Sequence, residues 1–167
     1  MRQDVPKRFA IIGPPGSGKS TFANKLGKLL DIPVHHLDRH RFEPDGKKRG
    51  KQEFLSIQKA LVDEGSWIIE GCSFSTFEMR FARADILMYF HFPRLLCFWR
   101  IFKRFFNHDK AFGGLRIVNG ELLKYIWNFD KEKGERIEEL RKKYPHVDFR
   151  IFRNSKDANN YLGELNV

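Results

Sequence analysis

Short apolar runs alternate along the chain with longer segments in which apolar residues recur every three or four positions. Runs of the first kind predict β-strands, and segments of the second kind predict helices. The five predicted strands are Arg8–Ile12, Pro33–Leu37, Trp67–Ile69, Asp85–His91 and Val147–Phe152. Because helical segments separate these strands, the pattern predicts an α/β sandwich built on a parallel sheet.

The helix predicted after Pro93 has two contrasting faces. Its apolar stripe consists of Leu95, Phe98, Trp99, Phe102, Phe105 and Phe106. Arg100, Lys103 and Arg104 lie on the opposite side of the helix. We expect the apolar stripe to cover the sheet, which would make this segment an ordinary core helix.

The loop after the first strand carries the strongest motif in the chain. Residues 13–20 read Gly-Pro-Pro-Gly-Ser-Gly-Lys-Ser and fill every fixed position of the phosphate-binding pattern G-x-x-x-x-G-K-[ST]. Backbone N–H groups of such a loop surround phosphate oxygens, Lys19 reaches the β- and γ-phosphates, and Ser20 is placed to bind Mg²⁺. The predicted ATP-binding residues are Gly13, Pro14, Pro15, Gly16, Ser17, Gly18, Lys19, Ser20 and Thr21.

Two carboxylates follow predicted strands. The carboxyl ends of parallel strands meet at one edge of a sheet, so we expect Asp38 and Glu70 to lie near Lys19. Asp38 is a candidate to orient or deprotonate a phosphoryl acceptor, although aspartate is also a common helix or turn cap. Glu70 is a candidate Mg²⁺ ligand acting through water, although aspartate is commoner there and a solvent-facing carboxylate is the alternative.

Arginines on two predicted helices are candidates for stabilising a transferring phosphoryl group. Arg100 and Arg104 are one helical turn apart, and their planar guanidinium groups suit phosphate oxygens. The pattern lapses from Asn107 to Gly120, so a basic helix precedes a loop with Gly113-Gly114 at its centre. Together they predict a mobile lid around residues 100–120. Arg136 on the next helix is a further candidate, and a solvated helix face is the alternative interpretation of all three arginines.

Length and composition limit the class of protein. A chain of 167 residues predicts one domain over residues 1–167, and its 41 % apolar and 31 % charged residues are typical of a soluble globular protein. Cys72 and Cys97 lack metal or redox spacing, and we find no apolar leader, so a cytoplasmic location is expected. The net charge of +10 favours a polyanionic partner, either nucleotide phosphates, nucleic acid or an acidic membrane surface, although many small proteins are basic without a polymeric partner.

Seven short sequence fragments occur in a characteristic order along most of the chain. They are Gly13–Thr21, His36-Leu-Asp38, Trp67–Gly71, Ala84-Asp85, Pro93-Arg94, Cys97-x-Trp99-Arg100, and Trp127 ahead of Arg136. Together they resemble the bacterial DNA topology modulation protein family, a group of small P-loop proteins similar to adenylate and shikimate kinases. The resemblance implies a three-layer α/β/α P-loop fold with five parallel strands in the order 2-3-1-4-5. It also implies that Arg100 and Arg104 are lid arginines.

One departure from adenylate kinases concerns the phosphoryl acceptor. Those enzymes follow the third strand with Asp-Gly-Phe-Pro-Arg, whose arginine binds the acceptor phosphate, whereas this chain has Glu70-Gly-Cys-Ser-Phe74. Arg80 is the nearest basic residue and is a candidate substrate ligand. The sequence thus predicts an ATP- and Mg²⁺-dependent kinase for a nucleoside, a nucleotide or another polar metabolite.

The alternative function is nucleotide-dependent DNA binding through the basic stretches 39–51 and 94–116. No helix-turn-helix, zinc or other recognition module accompanies these stretches in the sequence. A membrane surface is a third alternative, and we expect no membrane partner because the aromatic stripe is needed to cover the sheet. The sequence leaves the oligomeric state open.

Overall fold

The elements of the chain follow the predicted alternation of strands and helices. The computed structural model describes residues 7–106 and 120–165. In chain order its elements are β1 (Arg8–Ile12), α1 (Lys19–Leu30), β2 (Val34–His36), α2 (Leu37–His40), α3 (Lys51–Asp63), β3 (Trp67–Glu70), a 3₁₀ turn (Phe74–Thr76), α4 (Phe77–Arg83), β4 (Ile86–Phe90), α5 (Arg94–Phe106), α6 (Gly120–Lys143), β5 (Asp148–Phe152) and α7 (Ser155–Glu164). The 3₁₀ turn and α4 were not predicted, because a segment of seven residues is too short for a clear helical period.

The five strands form one parallel sheet in the order β2-β3-β1-β4-β5. This confirms the predicted α/β P-loop fold and its strand order. The central strands β1, β3 and β4 are almost wholly buried, as expected when helices cover both faces. Because β1 lies at the centre, the loop that follows it lies at the middle of the sheet's carboxyl edge, with the ends of β3 and β4 on either side.

The hydrophobic core has two parts, because alternate residues of each strand face opposite sides of the sheet. Ala10 and Ile12 belong to the part that includes side chains of α3, α4 and α6. Phe9 and Ile11 belong to the other part, which includes side chains of α1, α5 and α7. The rings of Phe22 and Phe90 meet edge to face in the second part, at 5.1 Å between centroids. Both faces therefore anchor β1, which carries the phosphate-loop motif.

The helix α5 is oriented differently from the sequence-based prediction. Its buried residues are Cys97 and Ile101, whereas Leu95, Trp99, Phe102, Phe105 and Phe106 are exposed. The expectation that the aromatic stripe covers the sheet was therefore wrong. A physical reason lies in the contact with the phosphate loop, where a Cβ added to Gly16 would lie 2.5 Å from the carbonyl oxygen of Cys97. The backbone of α5 comes too close to the loop here for a large ring to fit between them.

The predicted lid overlaps two parts of the chain. Residues 100–106 form the second half of α5, and residues 107–119, including Gly113-Gly114, lie outside the described residues. In the described part of the chain, no helix has both the length and the apolar character required to cross a bilayer.

Candidate functional site

The phosphate-loop motif lies between β1 and α1 and depends on glycine for its conformation. The φ angles of Gly13, Gly16 and Gly18 are 146°, 81° and 94°, a region that residues with a Cβ atom rarely adopt. A Cβ added to Gly13 would also lie 2.6 Å from the carbonyl oxygen of Phe90. The glycines of the motif therefore permit both the tight turn and its close approach to β4.

Lys19 begins α1 and is buried against the loop. Its Nζ donates a hydrogen bond to the carbonyl oxygen of Pro14 at 2.8 Å and lies 3.5 Å from Oγ of Ser17. The ammonium group thus lies against the loop's own backbone, at the N-terminus of a twelve-residue helix. A lysine and a helix N-terminus together favour an anion at this position.

A chain of hydrogen bonds joins α1, β3 and β2 beside the loop. Oγ of Ser20 donates to Oε2 of Glu70 at 3.1 Å, and Nδ1 of His36 lies 2.9 Å from the same oxygen. Nε2 of His36 lies 3.0 Å from Oδ1 of Asn24. Glu70 and His36 are both buried. The arrangement holds one carboxylate oxygen directly beside the Ser20 hydroxyl.

The pKa of Glu70 reflects two opposing effects. Burial alone would raise it, but the hydrogen bond with His36, the charge of Lys19 and the hydrogen bond from Ser20 together lower the pKa below its ordinary value. Glu70 is therefore ionised at neutral pH although it is buried. An ionised, immobilised carboxylate beside a serine hydroxyl provides two oxygen donors for a hard cation.

His36 had no predicted role in the sequence. In the structure it is paired with Glu70 in the parallel register of β2 and β3. The sequence signal for this contact was available, since both residues are the last of adjacent strands. Recognising it required the register of β2 against β3 in addition to the predicted strand order. The neighbouring His35 has a different partner, since its Nε2 lies 3.6 Å from Oε2 of Glu64.

Asp38 lies in the first turn of α2, two residues beyond the end of β2, rather than directly at a strand end. Its side chain has solvent access, but surrounding protein atoms remove part of its hydration. This desolvation and the negative charge of Glu70 raise the pKa of Asp38, although the charges of Lys19 and Arg41 partly oppose them. The structure therefore brings Asp38 within electrostatic reach of Glu70 and Lys19.

Arg100 contacts the phosphate loop from α5. Its Nη1 donates to the carbonyl oxygen of Ser17 at 3.1 Å, and its Nη2 donates to Oγ of Ser155 at 2.8 Å. It borders a hollow of about 450 Å³ whose lining includes Gly18, Thr21, Trp99, Arg100, Arg104 and Asn159. Arg100 and Arg104 thus line the same hollow beside the loop.

Two other candidate arginines lie in different surroundings. Arg80 on α4 is fully buried and donates to the carbonyl oxygens of Gly71 at 2.9 Å and Ser73 at 3.1 Å. Burial lowers its pKa to about 10. This corrects the prediction of direct substrate contact, because Arg80 has no exposed surface and its donors hold the segment after β3.

Arg136 on α6 is exposed and is bonded to two carboxylates at the surface. Its Nη2 lies 2.7 Å from Oε2 of Glu78, and its Nη1 lies 3.0 Å from Oε2 of Glu139. Lys143 pairs with the same Glu78. This corrects the predicted position beside the phosphates, since the guanidinium group links α6 to α4.

The remaining potential ligands near the loop are few. Cys72 donates from Sγ to the carbonyl oxygen of Gly13 at 2.6 Å, and burial raises the pKa of its thiol. Within residues 7–106 and 120–165, no group of three or more His, Cys, Asp or Glu side chains is arranged to hold a metal ion. A metal held here would need oxygen ligands from a bound molecule in addition to protein oxygens.

Comparison with known sequences gives partial matches to adenylate kinases, and no family model matches the chain. An adenylate kinase of Stenotrophomonas maltophilia is 35 % identical over 81 residues, which are 47 % of this chain and 41 % of that protein. An adenylate kinase of Anaeromyxobacter sp. (strain K) is 32 % identical over 76 residues, 46 % of this chain and 34 % of that protein. Each match thus spans less than half of the curated relative's length.

Comparison with solved structures gives matches along nearly the whole chain. Shikimate kinase from Acinetobacter baumannii, solved in complex with shikimate, has a TM-score of 0.66 at 14 % identity and covers 95 % of this chain and 90 % of its own. Shikimate kinase from Bacteroides thetaiotaomicron has a TM-score of 0.64 at 16 % identity, with coverage of 96 % and 97 %. The chain therefore has the P-loop kinase fold of adenylate and shikimate kinases.

Proposed function

We propose that this protein is an ATP-dependent phosphotransferase that transfers the γ-phosphoryl group to a hydroxyl group of a nucleoside, a nucleotide or another small polar metabolite. The observation that carries the proposal is the bonded pair of Ser20 and Glu70, which lies beside the buried Lys19. The nearby solvent-accessible Asp38 supplies a carboxylate for an acceptor. Anion-binding, cation-binding and proton-accepting groups thus share one edge of the sheet.

The phosphates of ATP would lie against the loop and the N-terminus of α1. Lys19 would exchange its bond with the Pro14 carbonyl for one with a phosphate oxygen, and the loop N–H groups would donate to the remaining oxygens. The nucleoside would occupy the hollow bordered by Trp99 and Arg100, where an indole ring and a planar cation are available for a base to stack on.

The residues present fit a magnesium ion. Oγ of Ser20 and Oε2 of Glu70 are 3.1 Å apart and are the hard oxygen donors that Mg²⁺ prefers. Ser20 would hold the ion, with Glu70 acting directly or through a water molecule. The ion would neutralise charge on the β- and γ-phosphate oxygens. His36 has a positioning role here, because it fixes the carboxylate oxygen from the other side.

The acceptor would approach from the side of Asp38. A raised pKa makes this carboxylate a better proton acceptor than an ordinary aspartate, so Asp38 would orient the acceptor hydroxyl and take its proton. Arg104 lines the hollow and would stabilise charge on the transferring group. Arg100 would stay with the nucleotide, because both of its terminal nitrogens are bonded beside the loop.

The DNA-binding alternative rests on the net charge and on the resemblance to DNA topology modulation proteins. Weak, sequence-independent binding that disappears near physiological salt is what the charge alone would give. ATP-dependent, sequence-specific binding that survives such salt would favour the alternative. The cytoplasmic location and the single domain with a lid remain predictions.

A two-stage experiment tests the proposal. A thermal-unfolding screen of nucleosides, nucleotides and other metabolites, with Mg²⁺ and a non-hydrolysable ATP analogue, should find an acceptor that raises Tm further than the analogue does alone. Asp38→Asn should then abolish transfer to this acceptor and leave slow ATP hydrolysis by water intact, because the phosphate-binding groups are unchanged. Equal loss of both activities would assign Asp38 to Mg²⁺ binding or to structure.

A further inference from the structure

An exposed aromatic surface runs along α5. We call the side chains of Leu95, Trp99, Phe102, Phe105 and Phe106 the α5 face. Leu95, Trp99 and Phe106 are 74 %, 58 % and 73 % exposed. Four of the five members recur at a spacing of three or four residues, so they line one side of the helix, away from the residues that α5 buries. Contiguous exposed surfaces of this kind mark interaction sites more often than single exposed apolar residues do.

A neighbouring tryptophan extends the α5 face onto α6. The indole ring of Trp127 is 53 % exposed and stacks with the ring of Phe98, with 6.2 Å between centroids. The guanidinium of Arg94 lies 5.3 Å from the centre of the same indole. The surface is therefore formed by two helices and has cationic groups at its border.

The charged residues of α5 itself are of one sign, and Asp130 of α6 is an acidic residue that lies beside Leu95 and Trp127. The sequence of α5 contains four basic residues and no acidic residue. Nζ of Lys103 lies 5.0 Å from the centre of the Trp99 ring, at the flank of the apolar stripe. With a net charge of +10 for the chain, this surface is electrostatically complementary to an anionic partner.

We propose that the α5 face docks on the surface of an anionic lipid membrane. Tryptophan and phenylalanine on one side of a helix, flanked by lysine and arginine, are typical of helices that lie in the headgroup region. The sequence-based reason for expecting no membrane partner was that this stripe covers the sheet, and the exposure of the stripe removes that reason. The docking does not require the phosphotransferase activity, although Trp99 and Lys103 also line the hollow assigned to the nucleoside, whereas Phe102 and Phe106 do not.

Two other occupants fit the surface less well. A second copy of the chain would place like charges opposite each other across the contact, which is unfavourable. Single-stranded nucleic acid would need several free aromatic faces for successive bases, but one face of Trp99 and one face of Trp127 are each covered by a cationic side chain. Leu95, the most exposed member of the α5 face, offers no aromatic surface at all.

Vesicle binding by the full chain tests the proposal. We expect co-sedimentation with vesicles of phosphatidylcholine containing about one-third phosphatidylglycerol at ~0.15 M salt, and at least about tenfold weaker binding to phosphatidylcholine alone. The double variant Phe102→Ser, Phe106→Ser should bind the anionic vesicles at least about tenfold more weakly. Leu55→Ser is the matched control, since it removes an exposed apolar side chain from α3 and should leave binding unchanged.

Further readouts distinguish the occupants. Brominated lipid chains should quench the fluorescence of the exposed Trp99 and Trp127, whereas Trp67 is fully buried. Thermal unfolding should show the double variant folded, because its replaced side chains are on the surface. Vesicle binding that is lost at ~0.15 M salt, or that the double variant retains, would overturn the proposal. Two other results would also overturn it. One is self-association that depends on protein concentration, and the other is tighter binding of single-stranded DNA than of vesicles, if the double variant abolishes either one.

Discussion

Glu70 and Glu78 are two carboxylates whose pKa values are both lowered, but their surroundings differ. Glu70 is buried at the end of β3 and is held by one histidine and one serine. Glu78 lies on the surface of α4, where hydrogen bonds from Lys143 and Tyr144 and the charge of Arg136 lower its pKa. Surface groups therefore lower the pKa of Glu78, whereas buried hydrogen-bond partners and Lys19 of the phosphate loop lower the pKa of Glu70.

A cluster of surface charges and a single buried charge differ in what they indicate about function. Around Glu78, exposed side chains pair with each other and water screens the charges, so the pairs contribute little to stability. The carboxylate of Glu70 is buried and is kept ionised by a few fixed groups. Its Oε2 atom lies beside the hydroxyl of Ser20. A buried charge with few partners is the more informative sign of a functional site.

The same substitution at both positions gives the largest expected contrast. Glu70→Gln should lower ATP turnover about a hundredfold or more, because it removes the charge that would face the proposed magnesium ion. Glu78→Gln should change turnover less than about twofold, since its cationic partners Arg136 and Lys143 are exposed. Steady-state turnover at saturating Mg²⁺ measures both effects. Similar losses in the two variants would show that the buried pair has no special role.

Much of the fold could be predicted because it depends on local patterns. The phosphate-loop motif and the alternation of strands and helices both depend on residues that are neighbours in the sequence. The inner face of α5 could not be predicted in the same way. An amphipathic pattern shows that two faces differ, but which one is buried depends on the close contact between Cys97 and Gly16.

The candidate site was predictable only where strand ends define it. Glu70 lies at the end of β3, as predicted, and Asp38 lies within one helical turn of the end of β2. Arg136 was misplaced because sequence gives no information on which neighbouring helix a surface arginine will pair with, and here it pairs with Glu78 on α4. His36 was missed because its partner becomes visible only from the strand register.

Arginines near and far from the hollow give the second contrast. Arg104→Ala should lower kcat about a hundredfold, a loss of ~3 kcal/mol, with a smaller change in ATP affinity, because such an arginine acts mainly in the transition state. Arg136→Ala should leave kcat within about twofold, since it removes surface ion pairs alone. Rate measurements over a range of ATP concentrations separate the two parameters. A larger loss with Arg136→Ala would restore its predicted place at the phosphates.

The smallest expected effect concerns stability and the pKa of Asp38. Folding raises the pKa of the Asp38 carboxyl group, so the group contributes fully to stability below its unfolded-state pKa. That contribution is lost as pH rises through the folded-state pKa. At pH 7, Asp38→Asn should therefore raise Tm by about 1–2 °C, and the gain should shrink as pH falls toward about 4. Asp45→Asn is the control, since asparagine retains an acceptor for the Lys47 N–H and should not change Tm. A gain that is independent of pH would contradict this interpretation.

ATP turnover by Lys19→Ala tests the central claim most directly. Purified wild-type protein with Mg²⁺ and the acceptor found by the screen should turn over ATP, and Lys19→Ala should reduce this at least about a hundredfold. Because Lys19 is buried and bonded to Pro14, thermal unfolding of the variant must accompany the assay to show that it is folded. A folded variant with unchanged turnover would contradict the assignment of this loop as the site of phosphoryl transfer.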